Sequence, residues 1–402
     1  MKLPAAAVVS VRRRCLFEWA HASAGPQSPM KAVAVDLSRR QIGLVDAPEP
    51  TLDSPTAVSL RTLDVGVCGT DRDIAAFEYG YPPPGDDGLV IGHEALAQVV
   101  DVGAGVTRVV PGDLVVPMVR RPCAHGECRP CRAGRQDFCQ TGDYTERGIK
   151  QAHGFMAELF TDEERYLHPI PAPLRGCAVL VEPLTIAEKA IEEVWQIQRR
   201  LPWVDPDAAE HDRGRGLSAV VLGAGPVALL GAMTLLVRGF TTYVYSRSRV
   251  PNEKAGVAAA IGATYISSQD VAAEELAERV GGIDLVYEGA GVSALAFAVL
   301  ATLGPNGILA LTGLPPAGDA TQLDTGALMR GLVLGNQVAV GAVNAGASSF
   351  TAAIADLEAF DRRWPGALPA LITARHPIEA AHELLQRGQG GIKHVVAVGE
   401  AP

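Results

Sequence analysis

The sequence predicts an α/β protein with a β-rich first part and a second part built on a parallel sheet. From about residue 30 to 180, short apolar runs alternate with clusters of glycine, proline and aspartate, which is typical of short strands joined by tight turns. From residue 217, apolar strand-like runs alternate with helical stretches, the pattern of a parallel sheet covered by helices on both faces. The 402 residues suffice for two domains of ordinary size.

Composition excludes several classes of function. The chain is 48% hydrophobic with a net charge of -10, so it offers no general attraction for nucleic acid or for an anionic membrane. No apolar run approaches the roughly 20 residues needed to cross a bilayer. We therefore expect a soluble protein that acts on a small molecule.

The first 29 residues show no periodicity and differ from a signal peptide, because Arg12, Arg13 and Arg14 follow the short apolar run instead of preceding it. We expect a disordered leader or a true start at Met30. Without a secretory signal we expect a cytoplasmic location, where thiols stay reduced and clustered cysteines bind metal rather than form disulfides.

Helical spacing of apolar residues predicts a long helix over 185–201, leading out of the β-rich part. Residues 202–216 are polar and contain proline and glycine, which indicates a linker or surface loop. Towards the end of the chain we expect an alanine-rich helix over 372–388 and a closing strand over 394–400. The predicted division is therefore a leader at 1–29, a first domain at 30–200 and 345–402, and a second domain at 201–344.

A dinucleotide-binding turn is predicted between the strand SAVVL and the following helix. Gly223 would make the tight turn and Gly225 would let the backbone approach a pyrophosphate, in the G-x-G-x-x-A pattern. Pro226 and Val227 would begin the helix, whose amino end offers N–H donors and a positive dipole end.

The residues after the next strand bear on the choice of cofactor. NAD sites usually place a carboxylate there, but this chain has Ser246, Arg247 and Ser248. An arginine beside short hydroxyls favours the 2′-phosphate of NADP, with use of NAD left open.

A catalytic zinc site is predicted from residues that are far apart in sequence. Cys68 and His93 each follow a predicted strand, and Glu182 in VEPLT supplies a third ligand, with one position left for substrate. Glu94 is interpreted as a switching or outer ligand, because neighbours on a strand point to opposite faces. Asp71 could orient the histidine or simply cap the backbone.

A second metal site is predicted in the loop RRPCAHGECRPCRAGRQDFC. The four thiols of this loop suit a closed tetrahedral zinc without room for substrate; they belong to Cys123, Cys128, Cys131 and Cys139. An iron–sulfur cluster is the alternative, although nothing else in the chain indicates electron transfer. His125 and Glu127 are alternative ligands within the first gap.

The motifs together resemble those of the zinc-dependent medium-chain alcohol dehydrogenases, and more narrowly the archaeal-type glucose 1-dehydrogenases. VCGTDRD, IGHEA, GRQDFC-x-TG, VEPLT and LGAGPV occur in family order over residues 30–400. The resemblance implies a GroES-like β-rich catalytic domain and a Rossmann domain with a doubly wound parallel sheet. It also implies oxidation of D-glucose, or of other aldoses, at C1 to the lactone with NADP or NAD.

The resemblance further implies roles for individual residues. Thr70 would hydrogen-bond the hydroxyl that is oxidised and take part in the proton's exit, while Glu146 and Asn344 would bind other sugar hydroxyls. Val119 stands where some relatives carry a sugar-binding asparagine, so the sugar preference is open. The family's usual gap of two residues between the first cysteines is here four, which puts Cys123 as a ligand in question.

Two other functions stay open at this point. A sorbitol-type polyol dehydrogenase, or another zinc-dependent alcohol dehydrogenase, would share the VEPL motif. A nucleotide-binding member without catalysis would not need the intact ligand set. The resemblance also implies a homo-oligomer, a dimer or tetramer joined through the sheet of the cofactor domain.

Overall fold

The computed structural model describes residues 29–316, 320–387 and 390–399. The predicted leader lies outside these ranges except for Pro29, which begins the first strand. Within the described ranges, no helix is both long enough and apolar enough to span a lipid bilayer.

Short strands make up most of the first part of the chain. They are β1 (Pro29–Asp36), β2 (Gln41–Pro48), β3 (Ala57–Gly66), β4 (Gly88–Val90), β5 (Glu94–Val102), β6 (Leu114–Pro117), β7 (Arg120–Arg121), β8 (Thr145–Arg147), β9 (Gln151–Ala152), β10 (Leu159–Glu163) and β11 (Leu167–Pro169). The short helices α1 (Gly69–Ala75) and α2 (Arg129–Arg132) lie among them. The alternation of apolar runs and turn residues thus forms the predicted β-rich region.

These strands form three sheets, with orders β2-β1-β4, β7-β8-β9 and, in the largest, β11-β6-β5-β3 with β10 also beside β3. The pair β3 and β5 is antiparallel, and Gly66 at the end of β3 lies opposite Glu94 at the start of β5. The chain leaving β3 and the chain entering β5 therefore meet at one edge, which brings Cys68 and His93 together.

The long helix α3 (Val181–Gln198) connects the β-rich part to the second part. It begins four residues earlier than the sequence predicts, so Glu182 lies in its first turn. Its buried positions recur at helical spacing and include Leu184, Ile191 and Val194. These side chains belong to a core that also contains residues of the second part.

The second part is a six-stranded sheet in which every paired strand runs parallel to its neighbour. Its strands are β12 (Ser218–Leu222), β13 (Thr241–Ser246), β14 (Thr264–Ser267), β15 (Leu285–Glu288), β16 (Ile308–Leu311) and β17 (Val338–Gly341). Its helices are α4 (Pro226–Val237), α5 (Glu253–Ala260), α6 (Leu276–Val280), α7 (Ser293–Leu300) and α8 (Thr325–Gly335).

The strand order β14-β13-β12-β15-β16-β17 reverses direction beside β12. In open parallel sheets, ligands bind at the carboxyl ends of the strands where the order reverses. The turn that contains Gly223 follows β12, so it lies at this point.

The end of the chain contributes to both parts. Helix α9 (Ala347–Arg363) packs on α3, and α10 (Ala367–Leu371) contacts α5. The strands β18 (Ile372–Pro377) and β19 (Lys393–Ala397) then extend the largest sheet beyond β3. The predicted domain boundaries at residues 200 and 345 remain a proposal.

The predicted helix over 372–388 is wrong in its first half. Ile372–Pro377 forms β18, whose exposure alternates along the strand and which pairs in parallel with β19. Only Ala381–Gln386 forms the helix, α11. The β-branched residues Ile372 and Thr373 favour a strand, whereas the alanine-rich segment after Pro377 favours a helix.

Candidate active site

Cys68 lies between the end of β3 and the first turn of α1. Its backbone N–H donates a hydrogen bond to Asp71 Oδ2 at 2.9 Å, which fixes the start of the helix. Its Sγ lies 4.0 Å from Thr70 Oγ1. The thiol and the hydroxyl therefore share one short turn.

His93 is buried directly before β5, and its Nδ1 lies 3.2 Å from Asp71 Oδ1. Burial alone would lower the pKa of His93, but the carboxylate of Asp71 and the thiol of Cys68 raise it well above its ordinary value. Asp71 thus orients the imidazole through Nδ1 and leaves the other ring nitrogen, Nε2, for a metal.

Glu94 lies closer to the site than strand alternation predicts. The ligand atoms of Cys68, His93 and Glu94 all lie within 4.8 Å of one another. His93 precedes β5, which starts at Glu94, so the two side chains are not bound by the alternation of a regular strand. Strand alternation therefore does not argue against Glu94 as a direct metal ligand.

Lys393 is a site residue that sequence reasoning missed. Its Nζ forms an ion pair with Glu94 Oε2, both side chains are 1% exposed, and it donates to Val67 O at 3.1 Å. Burial would lower the pKa of Lys393, but Glu94, Cys68 and Glu182 raise it above its ordinary value. The available sequence signal was a lysine at the start of the otherwise apolar closing strand.

Glu182 faces the same charges from the first turn of α3, although its carboxylate lies outside the close group of three donors. Burial raises its pKa to about 7, a rise that the charge of Glu94 adds to and that His93 opposes. Gly66 marks how tightly this region is packed, because a Cβ there would overlap Glu94 Oε2.

The donor set fits a zinc ion. A thiol, an imidazole and a carboxylate converge, with one ligand atom of each within 4.8 Å of the others. Sulfur, nitrogen and oxygen donors in one small group are the ligands that zinc takes in catalytic sites.

The cysteine loop gathers all four of its thiols. Cys123 Sγ lies 3.7 Å from Cys131 Sγ, and Cys128 Sγ lies 3.9 Å from Cys139 Sγ. All four sulfur atoms lie within 4.8 Å of one another, so the wide first gap does not displace Cys123.

The alternative ligands of this loop take other positions. His125 is outside the thiol group, and its Nε2 lies 2.6 Å from Asp143 Oδ2 at the surface. Glu127 is exposed and does not belong to the group either. The sulfur arrangement fits a closed tetrahedral zinc.

Glu146 and Asn344, far apart in sequence, lie in direct contact. Asn344 Nδ2 donates to Glu146 Oε1 at 3.0 Å, and Arg120 donates to the same oxygen. A Cβ added at Gly148 would lie 2.5 Å from Gly92 O, so the loop of Glu146 touches the backbone just before His93. The segment that carries Glu146 therefore lies against the segment that carries His93.

The turn after β12 has the geometry that a dinucleotide site needs. Gly223 has a φ of +99°, which favours glycine, and its N–H donates to Tyr245 O at 2.8 Å. Gly225 caps α4, with Pro226 and Val227 in the first turn. The amino end of α4 therefore presents its N–H groups at the reversal of the sheet.

The segment after β13 leaves one arginine available. Arg249 pairs with Asp270 at 2.7 Å, whereas the exposed side chain of Arg247 has no ion pair within the described residues. Ser246 ends β13 and Ser248 follows Arg247 at the surface. Residues 246–249 themselves contain no carboxylate, which fits the phosphate of NADP.

Comparison with known proteins agrees with this geometry. The family model for the alcohol dehydrogenase GroES-like domain matches residues 54–172, and the model for the glucose dehydrogenase C-terminus matches residues 176–398. Glucose 1-dehydrogenase of Methanocella arvoryzae is 37% identical over 92% of this chain and 100% of its own length. That of Thermoproteus tenax is 38% identical over 92% and 99%.

A solved structure shows the same fold. Glucose dehydrogenase of Haloferax mediterranei, in complex with NADP, Zn and gluconolactone, superposes with a TM-score of 0.82. It is 34% identical and covers 92% of this chain and 100% of its own.

A GroES-like domain beside a Rossmann sheet, with a thiolate, an imidazole and carboxylates at one strand edge, defines a zinc-dependent alcohol dehydrogenase-type oxidoreductase. Within that class, the chain belongs to the glucose 1-dehydrogenase family. The resemblance of the motifs and the fold class predicted from the sequence are both confirmed.

Proposed function

We propose that this protein oxidises D-glucose at C1 to the lactone with NADP, and also accepts NAD. The observation that carries the proposal is the contact of Glu146 with Asn344, on a segment that lies against the chain just before His93. A polar pair that binds sugar hydroxyls would thus adjoin a metal-type donor set.

Four residues would hold the catalytic zinc: Cys68, His93, Glu182 and, in direct or exchanging contact, Glu94. A bound zinc would act as a Lewis acid on the C1 hydroxyl while the nicotinamide accepts the hydride. Thr70, in the same short turn as Cys68, would accept a hydrogen bond from this hydroxyl and start the proton's exit. Asp71 holds His93 in orientation.

Substrate specificity comes from groups that pair with hydroxyls. Glu146 accepts from one sugar hydroxyl, and Asn344 is held beside it by their mutual hydrogen bond of 3.0 Å. A site built to bond hydroxyls rejects analogues that lack them, because its polar groups are then left unpaired.

NADP binds across the carboxyl ends of β12 and β13 in this proposal. The turn at Gly223 and Gly225 receives the pyrophosphate at the amino end of α4. Arg247, with Ser246 and Ser248 beside it, receives the 2′-phosphate. The cysteine loop holds a second, structural zinc through Cys123, Cys128, Cys131 and Cys139.

The experiment is a panel of substrates and cofactors on purified, zinc-loaded protein. Turnover of D-glucose, D-galactose, D-xylose and sorbitol is measured with NADP and with NAD. A clear preference for glucose supports the proposal, whereas a preference for sorbitol replaces it with a polyol dehydrogenase. Absence of turnover on every substrate, with no zinc beyond one per chain, would indicate a non-catalytic nucleotide-binding protein.

We also propose a homo-oligomer formed through the β17 edge of the parallel sheet. That edge has no neighbouring strand within the described residues, and α8 next to it exposes Met329, Val333 and Leu334 by 65–75%. A second copy would pair the edge and cover these side chains. Light scattering should give a dimer or tetramer, and a monomer for the triple serine variant.

We propose a cytoplasmic location, since a reducing compartment would keep the cysteines of the two metal sites available to zinc.

A further inference from the structure

Arg120 and Glu146 form a buried pair across two short strands. They lie opposite each other on β7 and β8, and they are 3% and 6% exposed. The Nε and Nη2 of Arg120 donate to Glu146 Oε1 at 3.0 and 2.9 Å. Both hydrogen bonds therefore reach the same carboxylate oxygen.

The other oxygen of Glu146 remains available to a ligand. Asn344 also donates to Oε1, at 3.0 Å, which gives that oxygen three donors. Oε2 accepts no hydrogen bond from any residue in the described ranges, and it is not among the fully buried atoms without a partner. Arg120 thus turns the carboxylate so that Oε2 alone can accept from a sugar hydroxyl.

The cysteine loop holds Arg120 in this position. Arg120 Nη1 donates to the backbone carbonyl of Asp137 at 3.3 Å, and Gln136 Nε2 donates to Arg120 O at 3.4 Å. The guanidinium also lies 3.8 Å from the ring centre of Tyr144, a cation–π contact. Two of these partners lie between the last two cysteines of the loop.

A second connection runs from the same loop to Asn344. The carboxylate of Asp137 lies 3.0 Å from Lys189 Nζ on α3, and Lys189 donates to Val343 O at 2.9 Å. Asn344 follows with a φ of +57°, a conformation that depends on its surroundings. Asp137 therefore supports both members of the sugar-binding pair.

We propose that Arg120 is a positioning residue, anchored by the cysteine loop, that orients Glu146 for recognition of a sugar hydroxyl. The inference rests on the proposed function, because it names the support of that site. It also gives the cysteine loop a role beyond stability: the loop sets the geometry of substrate recognition.

The test replaces Arg120 with lysine, which keeps the charge but loses the two N–H donors that converge on Glu146 Oε1. The KM for D-glucose should rise roughly tenfold or more, since the flexible ammonium of lysine cannot reproduce the planar guanidinium fork that fixes the carboxylate of Glu146. The kcat should change by less than about threefold, because the lost interaction serves ground state and transition state alike. Arg121→Lys is the matched control, since Arg121 pairs with Asp162 instead.

A double-mutant cycle separates positioning from general damage. If Arg120 acts through Glu146, then R120K should add less than about twofold to the KM of Glu146→Gln. Additive effects of the two changes, or an R120K variant with the KM of the parent, would overturn the inference. Inactivity of the parent on glucose would instead defeat the proposed function, so the two failures are distinguishable.

Discussion

The ion pair of Lys393 and Glu94 gives the most direct prediction from the buried charges of the site. Lys393→Met keeps the side-chain volume but leaves the Glu94 carboxylate, 1% exposed, without its cation. Removing one partner of a buried pair costs about 3–5 kcal/mol. With an unfolding entropy of roughly 2.1 cal/mol/K per residue, a chain of 402 residues should lose about 4–6 °C of Tm.

The assay measures the thermal unfolding of the metal-stripped protein by calorimetry. The double variant with Glu94→Gln should recover most of the loss, because no uncompensated carboxylate remains. Lys31→Met is the control, since Lys31 forms an ion pair with Glu379 while 47% exposed, and such pairs contribute about 1 kcal/mol at most. A Tm loss below about 1 °C for Lys393→Met, or no recovery in the double variant, would refute the reasoning.

Three further predictions concern the cofactor, the cysteine loop and acid stability. Arg247→Ala should raise the KM for NADP roughly tenfold while leaving that for NAD unchanged; equal changes would contradict the 2′-phosphate assignment. Cys123→Ser should lower the zinc content by about one ion per chain and reduce Tm; an unchanged zinc content would remove Cys123 from the ligand set. Burial lowers the pKa of His168 to about 4, so the unfolded chain binds the extra proton first and stability falls as the pH drops from about 6.5 to 4. His168 stacks on Phe350, and a phenylalanine in its place can keep this stacking. The His168→Phe variant should therefore lose less stability between about pH 6.5 and 4 than the parent; an identical pH dependence of the two proteins would contradict this prediction.

The sequence predicts the approach of Cys68 and His93 because both follow strands and short turns. In the fold, Cys68 follows β3 and His93 precedes β5, the antiparallel neighbour of β3, which places both ligands at one edge. The turn at Gly223 is predicted for a similar reason, since the strand, turn and helix are consecutive in the chain.

Contacts between distant segments are harder to predict. Lys393 meets Glu94 only because β19 joins the sheet beside β3, and no local pattern pairs these residues. The orientation of Glu94 depends on where β5 begins, which sequence patterns define only to within a few residues. Ile372–Pro377 was misassigned because a short mixed segment beside an alanine-rich helix carries no clear period.

The most direct test of the central claim is product formation by the purified, zinc-loaded protein with D-glucose and NADP. Our account predicts reduction of the cofactor together with gluconolactone in equal amounts, and loss of both after zinc is removed and their return when it is restored. Cofactor reduction with sorbitol but not with glucose, or glucose oxidation that persists without zinc, would contradict it.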